Sequence, residues 1–128
     1  MTTPSVPIPT TFRDTNDRFT GVFVGAPEFE FLNRHVSYTI TLDMMMDSLR
    51  MGIATVAGRT KNLEALVLFQ QSRDELDATH ALYRENKISE AQRRIQVAQR
   101  LFQQAGKLRN KKGAAARLVE EDQLDAEE

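Results

Sequence analysis

The chain has 128 residues, 41% of them hydrophobic and 27% charged, with a formal net charge of −1 and no cysteine. That length is one domain's worth of polypeptide, and the lack of cysteine excludes a disulfide framework, a thiolate metal site and a cysteine nucleophile. The near-neutral total hides a division. Residues 87–117 hold nine Lys or Arg against Glu90 alone, residues 118–128 hold six acids and no base, and the first 86 residues hold eight bases and eleven acids.

Residues 1–11 contain Pro4, Pro7, Pro9 and four threonines without an apolar period, which predicts a disordered arm, drawn here over residues 1–18. No basic stretch followed by an apolar one opens the chain, so no signal peptide is expected. Phe19, Val22, Phe23 and Val24, and then Phe29 and Phe31, have the aromatic and β-branched content of short strands, joined by the turn signal Gly25-Ala26-Pro27. A competing reading makes Pro27 the first residue of a helix, with Glu28 and Glu30 in its positive first turn. Val36, Tyr38, Ile40 and Leu42 alternate as a strand would, yet Val36, Leu42, Met45, Leu49, Ile53 and Val56 fit a helical face about as well. From Asp43 onward good helix formers dominate, so a first helix is expected over about residues 41–57, with Gly58 as its stop. Residues 36–57 form the longest apolar stretch, but Asp43, Asp47 and Arg50 interrupt it. Such charges are costly in a hydrocarbon core, and a soluble, cytoplasmic protein is expected.

A second helix is expected over about residues 60–85, with Thr60 as its N-cap. Leu63, Ala65, Leu66, Val67, Leu68 and Phe69 make its first half apolar nearly all round, which requires cover from more than one neighbour; the Met-rich segment 44–57 is the obvious one. A third helix is expected over about residues 89–110, with Ser89 and Gln92 in the places of a capping box. Asn86 suits the left-handed position of the intervening turn. Ile88, Ala91, Ile95, Ala98, Phe102 and Ala105 recur at steps of 3 and 4, drawing one narrow seam of alternating large and small side chains that another helix can approach closely.

In residues 81–91, Leu82 and Tyr83 precede a short turn, Ala91 follows it, and Ile95 and Ala98 come at helical spacing. This pattern, over roughly residues 75–102, resembles the turn and second helix of a tetratricopeptide repeat. It departs from that family in having neither a second copy at the repeat period nor a closing proline. The resemblance implies an α-hairpin and a role in protein contacts.

Few residues carry a chemical pattern. Asp77 and His80 lie three apart on one helical face, like half of a carboxylate-bridged metal site, but His35 is the only other histidine and such sites need a second acid–histidine pair. His80 reads instead as the edge of a seam through Leu66, Phe69, Arg73, Leu76 and Tyr83. Asp43 and Asp47 lie one turn apart, and Asp43 reads as a helix-start residue. Gly21, Gly25 and Gly58 form no phosphate-binding loop, and Met44, Met45 and Met46 read as core fillers. No catalytic residue, cofactor or metal is assigned. Arg93, Arg100 and Lys107, spaced by seven, form a basic stripe opposite the apolar seam, without the interleaved aromatics that stack on bases.

The sequence therefore predicts an all-α fold: a helical hairpin packed on a third helix, within a single domain over residues 19–112 that begins with an extended or short-strand segment and precedes an acidic disordered tail over residues 113–128. Three helices bury little surface, so a partner is expected to complete the core. The function expected is protein–protein interaction, as a self-associating adaptor, assembly or secretion-associated component, through Phe19, Phe23, Phe29, Phe31, Arg93, Arg100 and Lys107. The alternative is a nucleic-acid-binding accessory protein using the basic helix.

Overall fold

Thr11 accepts a 3.0 Å hydrogen bond from the Asp14 amide, capping the first helix, α1 (Phe12–Gly25), of a computed structural model that describes residues 6–36 and 38–109. The residues expected to be an arm and a strand are thus one helix from residue 12 to residue 25. Its buried positions, Thr15, Phe19 and Val22, recur at helical steps, and burial of that face outweighs the β-propensity of the individual residues. Residues 6–10 also pack inward: Val6 is buried, and the Pro7 carbonyl accepts from Ser48 Oγ at 2.9 Å. Residues 1–5 of the expected arm and the whole expected tail, 113–128, lie outside the described residues.

A single turn, α2 (Glu30–Asn33), follows, and Pro27 precedes it rather than opening it. The described residues after it adopt no strand, and Thr41 caps α3 (Leu42–Ala57) through the Met44 amide, with Gly58 at the C-cap. Met45 and Met46 are buried in this helix. Asn62, not Thr60, caps α4 (Leu63–Arg84). Thr60 is committed elsewhere, its hydroxyl donating to the Arg109 carbonyl at 2.8 Å and accepting from the Asn62 amide.

Asn86 takes the left-handed conformation, φ 63°, and closes α4 with the paired bonds of a Schellman motif: Asn86 N–H to the Tyr83 carbonyl and Lys87 N–H to the Leu82 carbonyl. The reversal is finished two residues before Ser89, so α5 (Ile88–Leu108) begins from Lys87 and Ser89 lies inside the helix instead of capping it. Ala91, Ile95, Ala98, Phe102 and Ala105 are all buried along the expected seam. Ser72 Oγ on α4 donates to the Ala98 carbonyl at 2.7 Å, a contact that two small residues permit.

The four long helices alternate in direction. Arg50 meets Asp77 and Asp43 meets Arg84 between α3 and α4; Ser72 meets Ala98 and Glu75 meets Arg94 between α4 and α5. On the other side, α1 runs antiparallel to α5 through Phe12–Phe102 and Asn16–Gln99, and to α3 through Arg18–Ser48. The result is an up-down-up-down bundle that α1 closes by packing against both α3 and α5. At its centre the Phe102 ring touches Phe12, Phe19 and Phe69, with centroids 4.6, 5.3 and 5.5 Å away. The chain's own first helix supplies part of the cover that the sequence assigned to a partner, by packing on α3 and α5, while Leu63 and Val67 on α4 stay 75% and 56% exposed.

Candidate functional site

At the α1–α2 corner the backbone sorts aromatic residues inward and outward. Phe29 adopts a left-handed conformation, φ 51° and ψ 45°, which is rare and strained for a bulky residue. The strain places its ring in the core, 1% exposed, against Gly25, where an added Cβ would stand 2.9 Å from the ring. Two residues later Phe31 is 69% exposed, its ring tilted 56° to that of His35 with centroids 4.8 Å apart. Leu32 is partly exposed beside it, and Val24, at the end of α1, is 76% exposed. Asn33 fixes the loop: its amide nitrogen donates to the Glu28 and Ile40 carbonyls, both at 3.1 Å, while its oxygen accepts from the Ile40 amide. The exposed apolar side chains are therefore held on a pinned turn, with the acids Glu28 and Glu30 exposed beside them.

A second cluster joins α3 to α4. His80 is buried, its Nε2 2.6 Å from Asp43 Oδ1 and its Nδ1 2.7 Å from an Arg50 guanidinium nitrogen. A guanidinium only donates, so Nδ1 accepts and the ring proton sits on Nε2, pointing at Asp43. Arg50 also bonds Asp77 at 2.7 Å and Asp47 at 3.0 Å. The His80 bond, and Arg84 after it, hold the Asp43 carboxyl below its ordinary pKa. Both ring nitrogens are occupied, one by a cation, so His80 has no free nitrogen with which to move a substrate proton. Asp43 and Asp47 face different partners and make no carboxylate pair. The cluster clamps two helices together, and among the described residues no group of three His, Asp or Glu converges as a metal site.

The third surface is the outer face of α5. Arg93, Arg100 and Lys107 are exposed and make no ion pair among the described residues, whereas their neighbour Arg94 is bonded to Glu75 at 2.6 Å.

Of the seven residues selected from sequence, Phe19 and Phe29 belong to the chain's own core, Phe23 is half-buried, and Phe31 is exposed. The aromatic group lies on α1 and the α1–α2 corner, and the basic stripe on the outer face of α5. The exposure of Val24 and Leu32 was missed, as was the bridging role of Arg50. The first signal was available, since a helical frame through Phe12, Thr15, Phe19 and Val22 turns Val24 outward. The pairing of Arg50 with His80 depends on tertiary contact across thirty residues and leaves no local trace. Among the described residues no helix is long and apolar enough to cross a membrane. No known family, curated protein or solved structure matches the chain.

Proposed function

We propose that this chain is a non-enzymatic protein-interaction module, an adaptor or assembly component that docks its partner on the α1–α2 corner. One observation carries the reading: Phe31 stands 69% exposed on a turn whose backbone is strained at Phe29 and pinned by Asn33. A large aromatic held rigidly in water gains much by burial and loses little entropy on binding, which is the character of an interface anchor. Glu28 and Glu30 beside it favour a partner with an apolar centre and a basic rim. A second copy of the chain is the first partner to test. Because the bundle closes on itself, any such association is a surface contact and not a shared core.

A second reading, nucleic-acid binding, is favoured by the exposed Arg93, Arg100 and Lys107, which make no ion pair among the described residues. One experiment separates the two. A photoreactive phenylalanine analogue placed at residue 31, at residue 93 or at the exposed control residue Gln70, and activated in the native cells, should give protein adducts from residue 31 alone. Nucleic-acid adducts from residue 93 would reverse the order of the two readings. Equal adducts from residue 31 and the control would sink the corner as a docking site.

A further inference from the structure

The basic face of α5 carries charge that no described residue compensates, and the chain itself carries the complement. Arg93, Arg100 and Lys107 are exposed along one side of the helix and unpaired among the described residues, while Arg94, turned toward α4, has its acid partner in Glu75. At 1.5 Å rise per residue the stripe runs about 21 Å back from the end of the helix. Its drift is slight, because positions seven apart slip only about 20° per heptad. Beyond Arg109 the sequence continues for nineteen residues, of which Glu120, Glu121, Asp122, Asp125, Glu127 and Glu128 are acids and the stretch 118–128 holds no base. From Arg109 to Glu120 an extended chain can span about 36 Å, so the acids can reach every residue of the stripe, Arg93 included.

We propose that residues 118–128 dock back along the outer face of α5 of the same chain, on Arg93, Arg100 and Lys107, and so screen that face from other anions. Tethering makes the encounter intramolecular, which raises the effective concentration of the acids at the face. The individual charge pairs are solvent-exposed and weak, so the contact is a salt-sensitive, rapidly exchanging cover and adds little to folding stability.

The absence of native cysteine permits a clean test on the full chain. A nitroxide attached through Ala126→Cys should broaden the amide signals of α5 residues on the 93–107 face at about 0.02 M salt, and salt at about 0.5 M should restore them. The triple substitution Arg93→Glu, Arg100→Glu, Lys107→Glu should abolish the low-salt broadening. No broadening, broadening spread evenly over the bundle, or broadening that survives both salt and the triple substitution would overturn the proposal. Mixing spin-labelled, isotopically silent chains with unlabelled, isotope-enriched ones tests the second copy as occupant. Broadening of the α5 face in that mixture, as strong as in the single species, would assign the acids to a neighbouring chain and overturn the intramolecular contact. A single-stranded oligonucleotide that shifts the same amides equally with and without residues 118–128 would assign the face to phosphates and overturn it too.

Discussion

Replacing Gly106 by alanine should destabilise this protein, although the same change in an open helix interior stabilises by about 0.5–1 kcal/mol. Gly106 lies on α5 where an added Cβ would run into Cε2 and Cζ of Phe12, the residue that begins α1. That ring cannot simply move away, because it is stacked on Phe102 at 4.6 Å and covered on its other face by the Arg109 guanidinium at 4.2 Å. Overpacking costs about 1–3 kcal/mol, and a displaced ring loses part of an aromatic contact worth about 0.5–1.5 kcal/mol. Set against the helix gain, Gly106→Ala should lower stability by about 1–2 kcal/mol, read as a lower urea midpoint at unchanged slope. The control is the same substitution made together with Phe12→Ala, which removes the obstructing ring; there alanine should stabilise by about 0.5–1 kcal/mol. Stabilisation by Gly106→Ala in both backgrounds would show that α1 does not lie against α5, and the closed bundle would fall with it.

Two further predictions test the other contacts. Ala98 is fully buried opposite Ser72, so Ala98→Glu should cost more than about 3 kcal/mol; an unchanged midpoint would mean the seam faces water. Asp43 has its carboxyl pKa lowered from 3.8 by His80 and Arg84, so its contribution is fully present above the unfolded-state value and is lost as pH falls through the lower folded-state value. Acid urea titrations below about pH 4 should therefore show a steeper loss of stability in the native protein than in Asp43→Asn, and parallel slopes would remove Asp43 from the acid response.

Where a segment's apolar period was long and single-valued, the sequence was enough. The seam from Ala91 to Ala105 and the left-handed Asn86 could be read directly, because helix periodicity and turn chemistry are local. Phe12 to Val24 misled because its residues favour strands by type while their spacing is helical, and the spacing prevailed once Phe19 and Val22 had α3 and α5 to pack against. The cap of α1 was nonetheless visible as Thr11-x-x-Asp14. Thr60 and Ser89 were plausible caps displaced by neighbours, Thr60 by its bond to the end of α5 and Ser89 by the early finish of the Asn86 turn. Phe29 and Phe31 look equivalent in sequence. Only the left-handed backbone at Phe29 sends one ring inward and the next outward, and a bulky residue gives no advance sign of that conformation.

The buried core is built from one chain, and the proposed association runs through the corner bearing Phe31. Sedimentation and urea unfolding measured together across a wide range of protein concentration test both statements most directly, in the native chain and in Phe31→Asp. The unfolding midpoint should not move with concentration, and Phe31→Asp should remove self-association at high concentration without loss of stability. A midpoint that climbs with concentration, as for a dimer whose subunits fold only together, with a mass indifferent to Phe31→Asp, would contradict both.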